Sequence, residues 1–316
     1  MAFPEEVVTV NKAFSGLGID EKSLISILGK WDKDELKSFR LGTPRFFGED
    51  DRCFEKLVQH QIKQLNTNFL RFKNAVVLWT MHPWERDARL MNDALLDGPK
   101  SYNVIVEIAC TRSSEELLGA RRAYHSLFER SIEEDVASYV TTDERKLLVA
   151  LVSAYRYEGP KVNEEVAKVE AKTFLNALKN ANKKNPLLDD DVVTILATRS
   201  KLHINSLFKY YKEISGSSVY EDLQAALILS DIVECFCIPP AYFSKVMEAA
   251  MVKEADENTR EGLTRVIVTR ADIDMKYIKE EYYRTYKCKL SERIDGATNG
   301  NYKDFLLSLI FREEKI

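Results

Sequence analysis

Apolar residues recur along this chain at three- and four-residue steps. Leu117, Leu118, Tyr124, Leu127 and Phe128 do so in one stretch, and Ile204, Leu207, Phe208 and Tyr211 in another. Steps of that kind gather the apolar side chains on one face of a helix. Alternating strand patterns are scarce, and glycine and proline fall mainly between the periodic runs, so the pattern predicts an all-α fold. Ser113-Ser114-Glu115-Glu116-Leu117 reads as a helix start, a capping serine followed by a first turn filled with acid. Pro83, Pro160, Pro186 and the pair Pro239-Pro240 punctuate junctions or loops, because proline removes a helix donor.

The same pattern is written four times. Thr111-Arg112-Ser113, Thr198-Arg199-Ser200 and Thr269-Arg270-Ala271 are its clear anchors, with Lys30-Trp31-Asp32 a fainter first copy. Seven residues before each Arg or Trp stand Leu24, Ile105, Val192 and Leu263, and four before it Ile27, Ile108, Ile195 and Val266. Copies two to four share Tyr124, Tyr211 and Tyr282 twelve residues after the anchor and Glu134, Glu221 and Glu292 twenty-two after it. Anchor spacings of 81, 87 and 71 residues exceed those of two-helix solenoids. Four units follow, at residues 1–82, 83–157, 158–240 and 241–316. The polar linker from Tyr157 to Val166 lies midway and predicts a grouping into two halves.

Composition narrows the function classes. Forty-six Lys and Arg against 50 Asp and Glu give a net charge of −4, which draws the chain to neither nucleic acid nor an anionic bilayer. Contact with either must be local or cation-assisted, and no nucleic-acid partner is expected. The five cysteines, Cys53, Cys110, Cys235, Cys237 and Cys288, do not form the even framework of a small secreted domain. No stretch approaches about 18 uninterrupted apolar residues and no signal-peptide pattern opens the chain, so a soluble, cytoplasmic protein is expected.

Several strings resemble annexin repeats: Phe14-Ser-Gly-Leu-Gly-Ile-Asp-Glu21, Cys110-Thr-Arg-Ser-Ser-Glu-Glu-Leu117, Ser131-Ile-Glu-Glu-Asp-Val136 and Asn301-Tyr-Lys-Asp-Phe-Leu-Leu307. Val77-Leu78-Trp79-Thr80-Met81-His82-Pro83 is similar to the plant members in particular. The resemblance spans the chain. It implies five short helices per repeat in a slightly curved disc, whose convex face meets acidic phospholipid through bound calcium. It also implies a cytoplasmic protein peripherally associated with membranes, a monomer or weak oligomer, a role in plant stress responses, and another annexin or actin as a further partner.

In that family a glycine-rich loop turns backbone carbonyls toward a hard cation, and a carboxylate about 38 residues later closes the shell. Here the first loop keeps Phe14, Gly16 and Gly18 as the implied carbonyl donors, with Leu17 as an apolar tip for lipid contact, although Ile19 replaces the usual Thr. Its distal position falls at Thr67, between Asn66 and Asn68, with no acid. The other loops have decayed further. The second reads Asp97-Gly98-Pro99-Lys100-Ser101, the third Asn185-Pro-Leu-Leu-Asp-Asp-Asp191, the fourth Lys253-Glu-Ala-Asp-Glu-Asn258. Their distal positions are Tyr139, Tyr220 and Ala297, with Glu221, Asp222 and Asp295 the nearest acids. The expectation is weak or partly calcium-independent membrane binding, carried by the first loop.

Other chemistries fare worse. Arg112, Arg199 and Arg270 recur at one structural position, which argues for scaffold: helix-terminal carbonyls or a buried acid such as Glu134, Glu221 or Glu292. Cys110 and Cys235 fall where plant annexins carry a pair suspected of redox chemistry, against which stands their reading as small buried apolar residues. His60, His82, His125 and His203 are dispersed, so no zinc cluster or nucleophile relay is visible. Gly29-Lys30 lacks the upstream glycine of a P-loop. No enzymatic activity is expected; a calcium-independent protein scaffold and a redox or ion-conducting role stand as alternatives.

Overall fold

The computed structural model describes residues 4–14, 21–58, 70–153, 156–180, 185–223 and 227–312. Among these, nineteen α-helices follow one another in a fourfold order. A first helix opens each quarter: Pro4–Phe14, Pro83–Asp97, Glu164–Lys179 and Pro239–Ala250. A second follows at Glu21–Leu28, Tyr102–Thr111, Asp190–Thr198 and Glu257–Arg270, and a third at Lys33–Gly42, Ser114–Phe128, Lys201–Ser215 and Met275–Tyr286. A short fourth stands at Ile132–Tyr139, Val219–Asp222 and Leu290–Ala297, and the fifth at Leu70–Thr80, Arg145–Val152, Leu227–Cys237 and Gly300–Ile310. The all-α, four-repeat expectation stands with one amendment.

In the first quarter the described residues after Lys33–Gly42 form an antiparallel hairpin, Phe47–Asp50 with Phe54–Leu57. Phe46, Phe47, Phe54 and Leu57 are all buried, and Phe47 and Leu57 pair directly across the two strands. Arg40 Nε donates to Glu55 Oε2 at 2.9 Å and ties the hairpin to the preceding helix.

The chain forms two compact units: residues 1–83 with 240–316, and residues 84–239. The polar linker at 157–166 lies inside the second unit, so the expected division into sequential halves is corrected. Side chains bridge that linker from both directions. Lys201 Nζ donates to the carbonyl of Thr111 at 3.1 Å, and Arg156 reaches forward to the carbonyls of Leu196 and Arg199. In the first unit Arg312 Nη1 donates to the Gly29 carbonyl at 2.9 Å, its guanidinium lies over the Trp79 ring, and Phe72 meets Phe305 edge-on.

The repeated anchors are paired, Arg112 and Arg270 in buried positions and Arg199 partly exposed. Arg112 holds Asp87 through two hydrogen bonds of 2.7 and 2.9 Å, Arg199 holds Glu170, and Arg270 holds Asp274. Trp31, the first-copy substitute, donates its indole N–H to Glu6 at 3.0 Å. The acid partners are therefore not Glu134, Glu221 or Glu292. Glu134 and Glu221 instead close capping boxes with Ser131 and Ser218 at the starts of the short helices, and Glu292 lies beside Lys289. The recurring tyrosines donate to an acid as well: Tyr124 to Asp135 and Tyr211 to Asp222, each at 2.6 Å, and Tyr282 to Glu248. Another regularity appears seventeen residues after each later anchor, where Glu129, Gly216 and Lys287 end the third helix in the left-handed conformation, with φ of 58, 81 and 59°.

Candidate functional site

Of the sequence-predicted site, Gly16, Leu17 and Gly18 lie outside the described residues, as do Asn66, Thr67 and Asn68. Phe14 is the last residue of the opening helix. The equivalent loops of the other quarters are described wholly or in part.

In the second loop Gly98 takes φ +84°, which its missing Cβ permits, and Pro99–Ser101 coil into a turn of 3-10 helix. The Ser101 amide donates back to the Gly98 carbonyl at 2.9 Å, so that oxygen already serves the turn. In the third loop the Asn185 side chain accepts from the Leu187 amide, and Asp189 caps the helix that follows, accepting from the amides of Asp191 and Val192. In both loops the turn's own amides take up these oxygens.

The acids near the distal positions are also engaged. Asp222 accepts from Tyr211 and from Ser217, Glu221 closes its capping box, and Asp295 pairs with Lys303 at 2.8 Å. A calcium ion asks for about six to eight oxygens with net negative charge among them. The oxygens named in the second and third loops and near the distal positions already have protein partners, and among the described residues no group of three or more His, Cys, Asp or Glu is placed to hold a metal.

The fourth loop is built differently. Residues Met251 to Asp256 connect Pro239–Ala250 to Glu257–Arg270. Arg260, one turn into the second of these helices, folds back so that Nε donates to the Ala255 carbonyl at 2.8 Å and Nη2 to the Lys253 carbonyl at 2.6 Å. Two backbone oxygens of the loop thus converge on a guanidinium. Beside them opens a pocket of about 290 Å³, lined by Val252, Lys253, Arg260, Arg293, Ala297 and Tyr302 among others. Loop and distal position Ala297 do meet, as the spacing predicts, but around arginine instead of acid.

Glu248 holds Arg293 from behind the pocket, with Nη2 to Oε1 at 3.0 Å and Nε to Oε2 at 3.2 Å. Burial pushes the Glu248 carboxyl up, and the hydrogen bonds from Arg293 and Tyr282 more than offset it, so it titrates below the usual carboxylate range. Tyr302 Oη lies 2.7 Å from Thr264 Oγ1. Sequence reasoning missed Arg260, Arg293 and Tyr302, because contacts made five to forty-five residues away leave no periodic trace.

Cys110 and Cys235 are fully buried, on the packed helices Tyr102–Thr111 and Leu227–Cys237. Burial pushes the Cys110 thiol up to about 12, and burial together with neighbouring Cys110 pushes Cys235 well above its ordinary value. Both are held as thiols, the form that is neither nucleophile nor metal ligand.

A family model described as Annexin matches residues 86–151 and 242–309. The chain is 48% identical over 320 residues to Annexin D4 of Arabidopsis thaliana, covering 99% of this chain and 100% of that protein. It is 37% identical over 318 residues to Annexin-like protein RJ4 of Fragaria ananassa, covering 98% and 96%. Among solved structures, annexin III shares the fold with a TM-score of 0.82 at 24% identity, over 98% of this chain and 95% of that one. Annexins bind phospholipid with the help of calcium, meet membranes peripherally and are generally not enzymes; here no described helix is long and apolar enough to cross a membrane. Fourfold helical order, paired arginine anchors and full-length similarity converge on one conclusion: the chain belongs to the annexin family, among the plant annexins.

Proposed function

We propose that this protein is a cytoplasmic, peripheral membrane protein of four repeats, at 1–82, 83–157, 158–240 and 241–316, that binds acidic phospholipid weakly and only in part through calcium. The first loop is the calcium-dependent element, with the carbonyls of Phe14, Gly16 and Gly18 as donors and Leu17 as the apolar tip. The reading is supported most by the fourth loop, where Lys253 and Ala255 give their carbonyls to Arg260 and not to an ion. An annexin with full sites is bridged to lipid by calcium at several loops. Here three of the four have other work for their oxygens, so calcium has less to add.

Co-sedimentation with phosphatidylserine-rich vesicles over a range of calcium concentrations tests this. Expected is a measurable bound fraction in chelator that rises with calcium, with the rise lost when Gly16 and Gly18 are changed to bulky residues. Absence of binding at every calcium level would remove membrane binding altogether. That outcome would favour the calcium-independent scaffold, with an actin or annexin partner, to which the engaged loops also lend support.

A further inference from the structure

The fourth-loop pocket holds more positive charge than its role as a spent calcium loop requires. Lys253, Arg260 and Arg293 line it and no carboxylate does. Arg293 is matched by Glu248 behind it. Arg260 is in a different position, because its bonding partners are neutral carbonyls, which orient the guanidinium without cancelling its charge. Two of its five N–H groups are used on them. At the rim Val252, 41% exposed, presents an apolar side chain next to the cationic pocket, and Tyr302 is part of its wall.

We propose that this pocket is a calcium-free phosphate site: Arg260, oriented by the carbonyls of Lys253 and Ala255, does for a membrane phosphate what a bound calcium ion does in a complete loop. The inference rests on the membrane-binding reading and names the residue that replaces the ion. An arginine fork matches a phosphate in shape and charge, and preorganisation by two backbone acceptors reduces the rotamer freedom lost on binding. The ligand is a phosphate ester with at least one unsubstituted oxygen pair. In this setting it is the headgroup of a lipid such as phosphatidic acid, with Val252 entering the acyl boundary beside it.

The test uses the full chain in chelator with vesicles of phosphatidylcholine containing phosphatidic acid, against vesicles of phosphatidylcholine alone. Arg260→Ala is expected to lower affinity for the acidic vesicles about tenfold, the value of one charge-assisted contact, while Arg260→Lys loses less. Ala297→Glu changes an exposed residue, leaves the loop hydrogen bonds in place and sets a carboxylate in the pocket. It is expected to weaken binding at least as much, with an unchanged melting temperature. Inorganic phosphate at millimolar concentration competes if a free anion suffices, and fails to compete if the lipid surface and Val252 are needed. Unchanged chelator binding in both Arg260→Ala and Ala297→Glu would overturn the site. Binding that appears only with calcium would overturn it too while leaving the membrane reading intact, whereas failure to bind with or without calcium would overturn both.

Discussion

Two arginines of this protein are each held by hydrogen bonds, to opposite effect. Arg112 is buried with two donors on Asp87 and a third on Thr111 Oγ1, a charge fully answered inside the protein. Arg260 is half-exposed with both donors on backbone carbonyls, a charge that is positioned and left to act outward. Arg112 has counterparts in Arg199 and Arg270, each with its own acid. Arg260 has none at the equivalent place in the other described loops, where Gly98 and Asn185 close the turn by themselves. Recurrence with a carboxylate marks a scaffold; isolation with neutral partners marks a site.

The comparison is most exposed to a test of stability. Arg112→Ala leaves Asp87 buried and unpaired, and is expected to cost about 3–5 kcal/mol in urea unfolding. Arg260→Ala, which frees carbonyls that water can reach, is expected to cost about 1 kcal/mol or less. A larger loss at 260 than at 112 would invert the assignment. Tyr211→Phe removes a hydroxyl that Asp222 accepts from, at an expected cost of about 1–2 kcal/mol by the same unfolding measurement, with lipid binding unaltered.

Much of this scaffold was legible in the chain. The anchor repeat gave the arginines, and the capping signature at Ser113 and the recurring Glu134 and Glu221 belong to helix starts seen in the structure. What those arginines pair with was not legible, since Asp87 and Glu170 stand 25 and 29 residues away on helices whose register only packing sets. The hairpin at Phe47–Leu57 escaped because the repeat pattern pointed to helices alone, and two four-residue strands are too short to show an alternation. The decay of the loops could be read residue by residue. Their new use could not, because Arg260 sits among ordinary polar residues of a helix start.

A smaller effect sharpens the scaffold side. Glu129 and Lys287 adopt the left-handed conformation that Gly216 takes freely, so Glu129→Gly and Lys287→Gly are each expected to stabilise the fold by about 0.5–1 kcal/mol, and Gly216→Ala to weaken it, in thermal melts. The pH dependence is expected to be milder still. Binding to acidic vesicles in chelator rises as pH falls toward 5, because exposed carboxylates begin to take up protons and repel lipid less. The Glu248–Arg293 pair does not follow them. With its carboxyl held below the usual range, Glu248 contributes stability that is present above the unfolded value and is lost only as pH falls through the lower folded one. The pocket therefore persists at pH 5, and a flat vesicle-binding profile between pH 7 and 5 would contradict the account of the exposed acids.

The central claim is that this annexin fold keeps its membrane after losing most of its calcium. Vesicle binding of the intact chain, titrated with calcium from chelator upward on phosphatidic acid and phosphatidylserine surfaces, measures it directly. A substantial calcium-independent fraction with a shallow calcium-dependent increment is the predicted curve. A steep rise from zero would contradict it, since that shape requires complete calcium shells at loops whose carbonyls and acids this structure commits elsewhere.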